Sequence, residues 1–171
     1  LCVAFPGAID GRERLGLYRE PFSLEGGPSA RYFAFMERSP INVLDPARNW
    51  GVALFEVHPT PDSTFAIGMF YGGPDQNDLQ GGAGSTAGVT TKLTAAPINE
   101  NDGERLLHFG IAIAERAPVG GVIIVNQKPR SPLLEFNDSV SSPFVPTIMI
   151  SANFQQIYNL QTAAVNGPLW A

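Results

Sequence analysis

Apolar and polar positions alternate along most of this chain. The pattern is cleanest over residues 106–115, where Leu107, Phe109, Ile111 and Ile113 share one parity and His108, Gly110, Ala112 and Ala114 the other. A period of two predicts a strand with two unlike faces. Residues 64–71 group Phe65, Ile67, Met69 and Tyr71 opposite Ala66 and Gly68, with Phe70 as the exception. Residues 86–95 set Thr90, Lys92 and Thr94 against Val89, Thr91 and Leu93, and residues 155–165 alternate Tyr158 and Leu160 with Asn159 and Gln161. Residues 49–58 are apolar on both parities, residues 12–20 predict a sixth strand, and residues 1–5 the tail of another. Helical spacing is confined to residues 29–38, where Tyr32, Phe33, Phe35 and Met36 follow a candidate N-cap at Ser29 and stop before Pro40.

The connections between these segments take turns in length. Residues 6–11, 59–63, 97–103 and 166–168 read as short turns, whereas 21–48, 72–85 and 117–152 are long. In an up-and-down antiparallel meander, alternate connections lie at the same end of the sheet. The short turns then gather at one end and the long loops at the other, as in outer-membrane barrels. The fold class expected is therefore all-β, an antiparallel meander forming part of a transmembrane β-barrel, with one long loop folded inward.

Composition sharpens this picture. Of 171 residues only 16% are charged, and 11 Lys+Arg against 16 Asp+Glu leave a formal charge of −5. A soluble domain averages about 25% charged residues, and the second face of these strands carries Gly, Ala, Thr, Asn and Gln where a surface in bulk water carries ions. Small and polar side chains suit the wall of a wet lumen. An acidic chain with two Lys offers no footprint for nucleic acid. One cysteine, Cys2, excludes an internal disulfide framework. No charged n-region precedes the first strand, and the chain stops just after a turn signal at Gly167-Pro168. The expectation is a single domain over 1–171, a fragment incomplete at both ends, with a cleaved signal peptide upstream.

The most specific stretch is Gly16-Leu17-Tyr18-Arg19-Glu20-Pro21-Phe22-Ser23-Leu24-Glu25, followed by Phe35-Met36-Glu37-Arg38 and then Ala47-Arg48-Asn49-Trp50-Gly51-Val52. This ordered set resembles the phosphate-selective porin family, trimeric sixteen-stranded channels of the bacterial outer membrane that pass phosphate or polyphosphate. The resemblance is dense over residues 12–57 and looser through the strands ending near Arg116 and around Tyr158. It implies that residues 21–48 form the loop that folds into the barrel and narrows the pore. It further implies that Glu20, Pro21, Phe22, Leu24, Glu25, Glu37 and Arg48 carry the motif. Residues 117–152 resemble another long loop, which in the family helps supply a ladder of arginines; here it offers Lys128 and Arg130. Gly26 stands where phosphate-specific relatives place a basic side chain. The partners implied are phosphate or other small anions, outer-membrane lipid and two further copies of the chain; no cofactor is implied.

Anion passage needs fixed positive charge at a constriction without a well so deep that the ion stays. The candidates are Arg19, Arg31, Arg38 and Lys92, then Lys128 and Arg130. The guanidinium fork pairs with phosphate oxygens and holds its proton. Lys92 lies mid-strand on the Thr parity, whereas a Lys facing lipid near the midplane would cost about 2–4 kcal/mol. Each candidate also has a plainer reading. Arg38 pairs with Glu37, Arg19 with Glu20, Lys92 snorkels to an interface, and Lys128 and Arg130 are solvated loop charges. His58 and His108 have no clustered third ligand for a metal. Ser23, Ser29 and Ser39 lack a nucleophile elbow, and Gly81-Gly82-Ala83-Gly84-Ser85 lacks the Lys of a phosphate loop. The expectation is a non-enzymatic anion channel; the alternative is a soluble all-β ligand-binding module, a sandwich or lipocalin-like barrel. In planar bilayers, Arg31→Ala or Arg38→Ala is expected to lower phosphate conductance or its preference over chloride. Unchanged ion preference in both would make them structural residues.

Overall fold

A computed structural model describes residues 2–6, 12–24, 45–46, 48–57, 62–72, 87–101, 104–118, 121–127, 145–167 and 169–170. Its elements are all strands: β1 (Cys2–Pro6), β2 (Arg12–Arg19), β3 (Arg48–Val57), β4 (Ser63–Tyr71), β5 (Ala87–Glu100), β6 (Arg105–Ala117), β7 (Val122–Gln127), β8 (Val145–Ser151), β9 (Gln155–Asn166) and β10 (Leu169–Trp170). Eight of them form one antiparallel sheet in the order β1-β2-β3-β4-β5-β6-β9-β10. The first six are sequence neighbours throughout, so the sheet is an up-and-down meander, open at β1 and β10. The candidate helix over 29–38 lies outside the described residues.

The register gathers the connections as the alternation in length demands. At one end Pro6 faces Arg12, Glu100 faces Arg105, and Leu169 faces Asn166. At the other, Arg19 faces Arg48 and Ala87 faces Ala117, where the long connections leave the sheet. Two expectations are corrected. Residues 117–152 are not simply a long loop: within them β7 and most of β8 pair as a separate antiparallel hairpin, Ile123 opposite Ile150. Alternation by two is not visible in Val122-Ile123-Ile124-Val125, because it is apolar on both parities. Nor does Pro97 begin a turn, because β5 continues to Glu100. The register shifts by one residue between Ala95 and Ile98, and this bulge absorbs a residue that has no N–H to give the ladder.

Side chains of one parity line the inner face in rows running across the sheet. One row reads Gly51, Phe70, Gly88, Arg116, Gln155; the next reads Ala53, Gly68, Thr90, Ala114, Ile157. Phe70, the parity exception, is accommodated by small neighbours. A side chain on Gly68 would run into the methyl of Ala53 and the Phe70 ring. Tyr18 meets that ring edge-on at 5.6 Å and Phe55 at 5.7 Å, and its hydroxyl donates to the Arg14 carbonyl. This aromatic cluster is the apolar packing under the β2–β4 part of the sheet. Gly68→Ala is expected to destabilise the fold by about 1–3 kcal/mol through overpacking, read as a lower denaturant midpoint.

Candidate functional site

Past Arg19 the chain turns onto the inner face instead of leaving it. Glu20 is buried, and both of its carboxylate oxygens are taken. Asn49 Nδ2 donates to Oε1 at 2.6 Å. Arg116 Nη2 donates to Oε2 at 2.5 Å, and the Thr90 hydroxyl donates to the same oxygen. These three donors come from β3, β6 and β5. Each lies on the inward parity of its strand, so alternation puts them on one face and the strand register brings them to one point. A buried carboxylate without such partners would cost several kcal/mol. Arg116 is only 2% exposed, so the ion pair is formed away from water, where charge-assisted bonds are strongest.

Two residues on, Phe22 is 2% exposed and sits on Ala112, Ala114 and Ile157. The alternation of β6 supplies this seat, because its inward positions near the middle are small. Pro21, between the two anchors, is buried and has no N–H that would need a partner. The backbone of the segment is held by side chains of the sheet. Gln161 Nε2 donates to the Phe22 carbonyl at 2.6 Å, and Lys92 Nζ donates to the Ser23 carbonyl at 3.0 Å. The returning end of the same connection meets it there. Ser23 Oγ donates to Asp45 Oδ2 at 2.5 Å, and Arg19 Nη1 lies 3.8 Å from that oxygen.

Residues 20–24 thus form a strap across the inner face, tied to β3, β5, β6 and β9. The long connection that begins here is the one expected to fold inward, and its described ends do so. Of the residues singled out from the sequence, Arg19, Glu20, Pro21, Phe22 and Lys92 are brought together. Arg19 and Glu20, adjacent in sequence, find different partners, Asp45 and Arg116. Leu24 is exposed, and Arg48 is exposed opposite Arg19 at the end where the long connections emerge. Glu25, Arg31, Glu37, Arg38, Lys128 and Arg130 lie outside the described residues, as does His58.

Sequence reasoning passed over Arg116, Asn49, Gln161 and Asp45 as parts of this site. A signal existed for Arg116: it continues the parity of His108, Gly110, Ala112 and Ala114 and so had to face inward. Its partner ninety-six positions earlier left no local trace. Beyond the strap, the inner face holds further polar side chains. Thr64 and Thr94 share a hydroxyl hydrogen bond at 2.5 Å. His108 Nδ1 and Asn159 Oδ1 are buried with no partner among the described residues. Donors and acceptors of this kind can exchange partners with water at small cost.

The outer face is the chemical opposite. Met69 is 66% exposed and Leu160 83%, and Leu15, Trp50, Val52, Tyr71, Leu93, Phe109, Ile111 and Tyr158 are exposed with them. A shallow apolar depression of about 440 Å³ runs over β5, β6 and β9 on this side, between Leu93, Phe109, Ile111 and Leu160. No protein-family model, curated protein or solved structure matches this chain. Phe22→Ala empties the seat on β6 and is expected to cost about 3–5 kcal/mol, measured by chemical denaturation of the purified chain.

Proposed function

We propose that this chain forms part of the wall of a bacterial outer-membrane channel for passive diffusion of small, phosphate-like anions, as in the phosphate-selective porins it resembles. The observation that carries this reading is the polarity of the sheet's two faces. Met69, Tyr158, Leu160 and other large apolar side chains point away from the strap and are exposed, whereas Thr90, Lys92, Asn49, Glu20 and Arg116 lie on the strap side, beside the aromatic cluster of Tyr18, Phe55 and Phe70. A soluble binding module would place Met69, Tyr158 and Leu160 against one another in a dry core. An exposed face carrying so many large apolar side chains is unusual for a monomer in water and suits a lipid contact.

Strand length supports the same reading. A tilted strand crosses hydrocarbon with about 9–11 residues, and β3, β4, β5, β6 and β9 have 10, 9, 14, 13 and 12. Hydrocarbon tolerates no open sheet edge, so in this proposal β1 and β10 each pair with a further strand to close the barrel, and three such barrels assemble as a trimer. The strap narrows the lumen at mid-wall. There Lys92 supplies positive charge in a confined space, where even one cation weighs heavily on the local field. No catalytic step and no cofactor are needed for such a pore.

Planar-bilayer recordings of the purified protein test this directly. Discrete conductance steps with a reversal potential on the anion side are expected under a salt gradient. Lys92→Glu is expected to move that potential toward cation preference. A water-soluble, monomeric protein without conductance would favour the binding-module alternative.

A further inference from the structure

The strap is held by side chains reaching up from the wall, and one of its ties differs in kind from the rest. Gln161 and Lys92 grip backbone carbonyls, bonds that any residue at those positions would accept. Glu20 is gripped through its charge, by a guanidinium on β6 that water does not reach. Arg116 crosses above its register partner Gly88, with Cγ only 3.0 Å from where a side chain there would begin. Only a residue without a side chain fits opposite Arg116, because the Glu115 carbonyl comes closer still to the same point. The pair also sits where the strap enters the inner face, one residue beyond the last residue of β2. A tie at the root of the strap constrains every residue beyond it.

We propose that Glu20 and Arg116 form a clasp that sets how far the inward segment reaches across the lumen. Arg116 is on this view a positioning residue for the bore, its charge spent on Glu20 and withheld from the solute. The clasp itself rests on geometry alone; its effect on conduction rests on the channel reading above. Loss of either partner frees the root of the strap and leaves the other charge stranded in a dry wall. Loss of both removes the stranded charge but leaves the strap untied. The two consequences are therefore separable.

The full chain in detergent, treated with chymotrypsin, reports the clasp through the bond between Phe22 and Ser23, with cleavage after Phe70 as the control for general unfolding. Glu20→Gln is expected to speed cleavage after Phe22 at least tenfold while cleavage after Phe70 stays as in the parent. The pair Glu20→Gln with Arg116→Met is expected to do the same with less loss of thermal stability. Should Glu20→Gln fail to fold, Thr90→Val removes one of the three ties and is expected to give a two- to fivefold increase. In bilayers, the double variant is expected to show a changed unitary conductance and added current noise. Unaltered cleavage after Phe22, or equal acceleration at both sites, overturns the clasp. A parent protein that carries no current, with the Phe22 site still selectively opened by Glu20→Gln, overturns the channel and leaves the clasp standing.

Discussion

A carboxylate at the end of β2 meets a guanidinium on β6 across the inner face, and neither is in contact with water. Burying two charges is costly unless their geometry is good and their remaining hydrogen-bonding capacity is met. Asn49 and Thr90 meet it on the carboxylate side. With Glu20 so fixed, Pro21 and Phe22 have one direction to go, down the inward face of β6, where Ala114 and Ala112 leave room for a ring. Placement of the strap, burial of Phe22 and the grip of Lys92 and Gln161 on the backbone all depend on that starting point.

The same arrangement explains an unusual composition. A sheet in water keeps bulky side chains inside and ions outside; this one exposes many bulky side chains on one face, packs Tyr18, Phe55 and Phe70 on the other and carries few ions on either. Its mean hydropathy of +0.01 is unremarkable because the two faces cancel along each strand. The inner face is polar yet far from fully charged, so its hydrogen bonds are closed by the strap and by hydroxyl pairs such as Thr64 with Thr94, while Asn159 Oδ1 has no partner among the described residues.

Several strands were legible because one periodicity held along their length. β9 alternates in burial along its whole length, and β4 and β6 do so over most of theirs, in step with the parity of the chain apart from Phe70. Two places were opaque for physical reasons. Pro97 looked like a terminator, since proline cannot serve a ladder, but a bulge gave it a position where no bond is owed. Residues 122–125 carry apolar side chains on both parities, so no face could be read from them and a hairpin passed for a loop. At the site, Glu20, Pro21 and Phe22 stood out through their motif, and Lys92 through its parity. Their partners did not, because Arg116 and Gln161 are joined to them only through the pairing of strands distant in sequence.

What the amino-acid sequence determined by itself is local and repetitive: which side chains of a strand share a face, and at which end the long connections emerge. Both come from the two-residue repeat of extended backbone and from antiparallel order, which need no knowledge of distant contacts. Tertiary structure alone decided that Arg19 turns to Asp45 and Glu20 to Arg116, that Lys92 holds a carbonyl, and that Phe22 rests on two alanines of β6. Those pairings depend on the register of strands brought together across the sheet. A one-residue slip in that register would leave every segment's own pattern intact while turning Arg116 away from Glu20.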